Sequence, residues 1–232
     1  MGTTLQEFLA RAATRQRVVV LGGLAIIAHG YSRPTKDADA WLEPMDSPET
    51  WAATLRATLR DFPGATLYAF SERRTLREEE IASFIARDDV LRVSGLEVDL
   101  DLFRKPTGLE CEDFDAVWER ATTWADAVRV MEPLDLILTK EETARSQDRQ
   151  DVIFLEGKIR RELGDRLATA TPEEARAIFA RYTDHAVCEQ ALGNPHADVR
   201  AQARELLAEL AAQGDWFSRD ILARLDGGAT GQ

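Results

Sequence analysis

Two acidic patterns define the chemistry open to this chain. In Thr35-Lys36-Asp37-Ala38-Asp39-Ala40-Trp41-Leu42 the residues alternate, so an extended segment projects Asp37 and Asp39 from one face. In Leu96–Phe103, Glu97, Asp99 and Asp101 occupy alternate positions, while Leu96, Val98, Leu100 and Leu102 fill the others. Such a strand has one carboxylate face and one apolar face. Carboxylates spaced this way offer hard oxygen ligands, which magnesium prefers in company with water and phosphate oxygens. Two ions about 3.5–4 Å apart stabilise the attacking and leaving oxygens of phosphoryl-type transfer together. A third pattern precedes both. The β-branched run Arg17–Leu21 ends in Gly22-Gly23, and Leu24–Gly30 then reads as a short helix. A di-glycine turn lets backbone N–H groups come close to a triphosphate, and the positive end of the next helix faces that charge. Taken singly, these patterns have bland readings: a solvated strand edge, a turn, an exposed sheet face. Their order points to one site: strand, Gly-Gly, helix, Asp-x-Asp, distant acidic strand.

The elements that must position these residues follow from periodicity. Ser47 is an N-cap candidate for a helix over Glu49–Arg60, and Leu67–Phe70 reads as a strand. The charged stretch Ser71–Arg87 reads as helix or loop. Val90–Val93 and Leu96–Phe103 read as two strands joined tightly at Ser94-Gly95. Cys111–Ala121 is a predicted helix, Ala127–Met131 a last strand, and Pro133 opens a long helix through Lys140. From Gln150 to Leu225 the pattern is helical almost throughout, and Asp226–Gln232 reads as a frayed tail. Strands mixed with helices, then helices alone, predict an α+β (α/β) fold. It comprises a mixed sheet flanked by helices over residues 1–155 and a helical region over 156–232.

Composition narrows the function classes. The 232 residues carry 44% hydrophobic and 30% charged side chains, enough for a core and a solvated surface. A formal net charge of −12 argues against a non-specific grip on long nucleic acid. The best basic patch is Arg145, Arg149, Lys158, Arg160, Arg161 and Arg166, for which a solvated helix face is the simpler reading. Cys111 and Cys188 are too far apart in the chain to suggest a disulfide framework or a zinc site and read as structural thiols. Trp118, Trp124 and Trp216 are expected mostly in the core. No apolar run approaches the roughly 20 residues of a membrane span. The opening segment reads as a helix without an apolar signal core, so a cytoplasmic, membrane-free protein is expected.

The stretch from Leu21-Gly22-Gly23 through His29-Gly30, Arg33, Thr35 and Asp37-Ala38-Asp39 resembles the first motif of the DNA polymerase β-like nucleotidyltransferase superfamily. It is most similar to the small bacterial and archaeal branch, which includes nucleotidyltransferase toxins of the abortive-infection, type IV toxin–antitoxin kind. The resemblance continues at Glu97–Asp101 and at Asp135–Lys140 with Arg145, Asp148 and Asp151. It spans roughly Arg17 to Leu155. It implies a nucleoside triphosphate substrate and a magnesium or manganese cofactor. Gly22 and Gly23 would hold the triphosphate, while Asp37 and Asp39 would bind metal. Asp99 would be the third carboxylate, also drawing the acceptor proton, with Asp101 its rival as a metal ligand because the double Asp leaves the register open. Lys140 would neutralise phosphate charge. Arg33 would do the same or pair with a nearby acid. His29 reads as a helix C-cap or core histidine, and Asp148 with Asp151 as a supporting pair. Ala38 and Ala40 depart from the larger aliphatic residues usual around the Asp pair, and Gly-Gly from the commoner Gly-Ser. The implied acceptor is RNA such as tRNA, a protein or a small molecule; an antitoxin protein is an implied partner. A catalytically silent nucleotide- or protein-binding relative is the other reading.

Overall fold

The computed structural model describes residues 4–125, 127–141 and 145–228. Helix α1 (Leu5–Ala13) leads into β1 (Val18–Leu21), α2 (Gly22–Ala28), β2 (Asp37–Leu42) and α3 (Pro48–Leu59). Then come β3 (Thr66–Ala69), β4 (Arg74–Leu76), α4 (Ile81–Asp88), β5 (Val90–Ser94), β6 (Asp99–Phe103) and α5 (Phe114–Arg120). They are followed by β7 (Thr122–Ala125), β8 (Val128–Val130) and α6 (Pro133–Glu141). Helices α7 (Ser146–Leu167), α8 (Pro172–Arg181), α9 (His185–Ala191), α10 (Ala197–Ala212) and α11 (Trp216–Gly228) complete the chain. The fold is mixed α+β, with one eight-stranded sheet ordered β4-β3-β5-β6-β2-β1-β8-β7. Contacts divide the chain into two compact units, one up to Leu155 and one from Glu156 onward. No helix among the described residues is long and apolar enough to cross a membrane.

In the first unit β1 is buried along its whole length, as Val18-Val19-Val20-Leu21 suits a central strand covered on both faces. It pairs antiparallel with β2 and parallel with β8. Strand β2 buries Ala38 and Ala40 on one face while Asp37 and Asp39 emerge on the other. The two small residues thus sit inside the core despite their size. Trp41 and Trp51 are the largest fully buried side chains. The Trp41 indole N–H donates to Arg104 O at 2.8 Å and its ring meets Phe114 edge-on at 5.0 Å. Ser47 caps α3, its Oγ accepting from Thr50 N–H at 3.2 Å, with Pro48 at the first helical position.

Several boundaries differ from the sequence expectation. Ser71–Arg87 contains a strand, β4, before its helix, because Arg74–Leu76 finds a partner in β3 that local propensity does not show. Strand β7 is likewise a short strand at the sheet edge, paired with β8. Strand β6 begins at Asp99, not Leu96. Glu97 lies outside it, and Glu97 Oε1 accepts from Leu5 N–H at 3.1 Å, satisfying a free donor at the start of α1. Helix α11 runs through Asp226 to Gly228, so only residues 229–232 of the expected tail lie outside the described residues.

The second unit is helical and has its own core of Leu167, Ala175, Phe179, Val187, Cys188, Ala191, Val199, Ala203, Leu207 and Ile221. Thr171 opens α8 with a capping box to Glu174, and Asp184 caps α9 by accepting from Val187 N–H at 2.9 Å. The buried Asn194 side chain donates to Leu167 O and Ala170 O at 2.7 and 2.9 Å, tying the helix connections together. Burial pushes the Cys188 thiol up to about 12, which leaves it an inert packing group. Trp216 departs from expectation: it is 65% exposed at the start of α11. Arg160 pairs with Asp184 and Lys158 with Glu162, so much of the basic stretch is spent on ion pairs of the helix faces.

Candidate active site

The register of four strands assembles the site. Strand β2 runs parallel to β6 with Asp37 opposite Asp99 and Asp39 opposite Asp101. Leu21, the last residue of β1, stands opposite Asp39, and Arg92 of β5 stands opposite Asp101. Leu21, Asp39, Asp101 and Arg92 therefore form one row across the sheet, with Asp37 and Asp99 side by side in a neighbouring row. Directly opposed residues are close enough for their side chains to interact.

Both glycines are required by close approach. Gly22 has φ +58°, and a Cβ there would lie 1.9 Å from Asp39 Oδ2. A Cβ on Gly23 would lie 2.5 Å from Thr35 Oγ1. The Gly23 N–H donates to the Asp39 carboxylate, so this backbone donor is directed at the acid itself. Thr35 Oγ1 donates to Asp37 O at 2.9 Å, fixing the backbone at the start of β2.

Arg92, which the sequence reading did not single out, stands among the acids. Its Nε and Nη2 donate to Asp101 Oδ1 and Oδ2 at 2.6 and 2.9 Å, a two-pronged clamp. The same guanidinium reaches Asp37 Oδ2 at 3.3 Å and Asp99 Oδ2 at 3.4 Å. Its carbon lies 4.6 Å from the centre of the Phe70 ring. A visible sequence signal existed: Arg92 is the lone charge between Leu91 and Val93, at a position of one parity in a predicted strand.

Charge is unevenly compensated. Asp37, Asp99 and Asp101 share the Arg92 guanidinium, and no ion pair among the described residues reaches Asp39. Burial, then the like charges of Asp101 and Asp37, push the Asp39 carboxyl up to about 7, against the Gly23 N–H and the field of Lys140. Burial also raises Asp101, and Arg92 only partly reverses this.

A cleft of about 450 Å³ opens beside this row. Gly22, Gly23, Arg33, Asp37, Asp39 and Lys140 line it, whereas Asp99 and Asp101 do not. On its helical side Lys140 Nζ lies 2.9 Å from Asp148 and 2.8 Å from Asp151, and Arg33 Nη2 donates to Asp151 at 2.9 Å. Arg33 thus takes the acid-paired form of the two roles open to it. Asp151 has no side-chain exposure, and its Oδ1, like Arg33 Nε, is buried without a hydrogen-bond partner among the described residues. Arg145 lines the rim and is largely exposed. Phe103, Pro106 and Thr107 also line the cleft, and nothing in their types announced it. His29 is the C-cap of α2, and its Nε2 meets Met131 O at 2.8 Å, a structural tie.

The donor set suits a hard divalent cation in kind, being carboxylate oxygen with excess negative charge. It is not a ready-made cage: among the described residues no group of three or more His, Cys, Asp and Glu side chains stands in metal-holding array. The Arg92 guanidinium is in contact with Asp37, Asp99 and Asp101.

Fold and site together define a class: an α+β domain whose sheet presents a glycine-edged acidic cleft, with a separate helical unit after it. No family model matches the chain, and no curated protein matches it. It is similar to a crystal structure from H. pylori provisionally named a nucleotidyltransferase, at 16% identity and a TM-score of 0.39. That match covers 96% of this chain and 94% of the other.

Proposed function

We propose that the chain is a metal-dependent nucleotidyltransferase, moving a nucleoside monophosphate from a nucleoside triphosphate to a hydroxyl acceptor. The observation that supports this reading best is the β2–β6 register, which sets Asp37 and Asp39 beside Asp99 and Asp101 where Gly22 and Gly23 edge the cleft. Asp37, Asp39 and Asp99 hold magnesium or manganese in this reading. When bound, the divalent ions neutralise phosphate charge and favour the attacking oxygen. The acceptor oxygen bonds to the α-phosphorus, pyrophosphate leaves, and the hydroxyl proton passes to Asp99, which is 43% exposed and so open to the acceptor. Asp101, clamped by Arg92, supports the row. Lys140 and Arg33, paired with Asp148 and Asp151, shape the opposite wall, and Lys36 and Arg145 bring positive charge to the cleft.

The acceptor falls among RNA, protein and small molecules, and a toxin role with an antitoxin partner belongs to the same reading. The presence of Arg92 within the acid row favours one rival, a catalytically silent relative whose acids are neutralised from within. One experiment separates them. Label from the α-phosphate of each triphosphate is followed into total RNA, protein and small-molecule acceptors, with and without magnesium or manganese. Metal-dependent transfer by the wild type that Asp37→Asn abolishes supports the enzyme. Undiminished transfer by that variant rejects the site, and absence of transfer with bound nucleotide supports the silent relative.

A further inference from the structure

The acid row already contains a cation. Among the described residues Arg92 is the single positive side chain that touches three of the four carboxylates, and it is held from two sides. The Asp101 clamp fixes its Nε and Nη2, and the Phe70 ring covers its plane. Its contacts to Asp37 and Asp99, at 3.3 and 3.4 Å, are longer and weaker. These two carboxylates are also the more exposed members of the row, each 43% accessible against 13% for Asp101. The guanidinium therefore has one firm anchor and two loose ones, and the loose ones lie on the groups that would accept a metal.

We infer that Arg92 is a resident competitor for the divalent cation, a positioning residue that keeps the carboxylates together in the metal-free protein and opposes metal entry. This rests on the reading of the row as a metal site and adds a term to it. A fixed positive charge this close to a divalent ion repels it, while the clamp on Asp101 withdraws one carboxylate from its reach. Metal alone then binds weakly. The favourable partner is a cation that arrives with the triphosphate, because phosphate oxygens supply the negative charge that Arg92 offsets. Asp101 is by this account an anchor for Arg92, and the ligands are Asp37, Asp39 and Asp99.

The test is the affinity of the full-length protein for manganese alone, read by electron paramagnetic resonance of the free ion, with thermal unfolding recorded in parallel. Arg92→Gln and Arg92→Met should bind manganese at least roughly tenfold more tightly than wild type, while their metal-free melting temperature falls. Arg92→Lys keeps the charge and should stay within about threefold of wild type. Equal affinity in wild type, Arg92→Gln and Arg92→Met overturns the inference, and so does weaker binding in the neutral variants. Should both neutral variants fail to fold, Arg92→Lys decides together with Asp101→Asn. Releasing the anchor in Asp101→Asn should leave manganese affinity within about threefold of wild type, whereas a loss beyond tenfold would make Asp101 a ligand and overturn the assignment. Failure of the underlying metal reading looks different: manganese then binds none of these proteins, and Asp37→Asn changes nothing.

Discussion

On the sheet side of the cleft Asp37, Asp99 and Asp101 share one guanidinium beside Asp39; on the helical side Arg33 and Lys140 face Asp148 and Asp151. The second set is balanced in sign and buried, with Asp151 receiving both cations. The first has excess negative charge and is partly open to solvent. A balanced buried network has its counter-ions built in, so it holds a shape and requires nothing from outside. An acid-rich row at a cleft holds more negative charge than its one guanidinium offsets, depends on water to screen the rest, and is improved by a cation that arrives with a triphosphate. The contrast separates scaffold from site without reference to any relative.

The largest expected effect tests the scaffold half. Asp151→Asn keeps the side chain's shape but leaves Arg33 and Lys140 short of a buried negative charge. Breaking such a network by removing one partner costs about 3–5 kcal/mol. Urea unfolding should show that loss with or without magnesium. A loss under about 1 kcal/mol would place Asp151 in the screened class of ion pair and remove the distinction between the two walls.

Gly22→Ala comes next and acts where β1 meets the acid row. The substitution strains a backbone at φ +58° and drives a methyl into the Asp39 carboxylate. We expect a loss of about 3 kcal/mol, from strain and overpacking together. Magnesium-dependent stabilisation should vanish with it, since Asp39 must move. An alanine variant as stable and as metal-responsive as wild type would mean that the close approach of Gly22 to Asp39 is not needed.

Much of this was legible in the chain. The alternation in Asp37–Leu42 and the di-glycine after Arg17–Leu21 gave the strand–turn–helix order and the face on which Asp37 and Asp39 emerge, because those depend on local period. The parallel register of β2 and β6 was not legible, since it depends on which distant strand pairs with which. For the same reason the sequence could not say that Arg92 stands opposite Asp101. Strand β4 was hidden in a charged segment that becomes extended only by pairing with β3, and the apparent Glu97 member of the acidic face turned out to serve the start of α1. The partners of Lys140 were invisible although Asp148 and Asp151 were noted, because burial decides between a free phosphate ligand and an internal ion pair.

The Asp39 carboxyl supplies a smaller, pH-dependent effect. Its position at about 7, raised from 3.8, means that the folded chain keeps a proton there which the unfolded chain has released. Its contribution to stability is therefore greatest in acid and is lost as pH rises from about 4 through about 7. The full shift is an upper bound because the group faces an open cleft, and a change on the order of 2 kcal/mol is expected between pH 5 and pH 8. Subtracting the Asp39→Asn profile from that of wild type isolates it in metal-free protein. A flat difference curve would show that the acid row is better screened than its burial implies.

Asp37→Asn should have the smallest effect on stability and is the sharpest test of the comparison. Asp37 is 43% exposed, and its only ion pair among the described residues is the 3.3 Å contact to Arg92, so losing its charge should change unfolding free energy by less than about 0.5 kcal/mol. A scaffold residue would be judged unimportant on that result. A member of the acid-rich row would not, because its role begins when a cation arrives. Stabilisation by magnesium follows from preferential binding to the folded state, so removing a ligand should abolish it even where the fold is untouched. Melting curves over a magnesium titration, run beside Asp151→Asn, therefore carry opposite expectations for the two walls. Asp37→Asn should melt like wild type without metal and gain nothing from it, whereas Asp151→Asn should melt early and still respond. If both variants lose stability and metal response together, the two walls act as one unit and the division between scaffold and site fails.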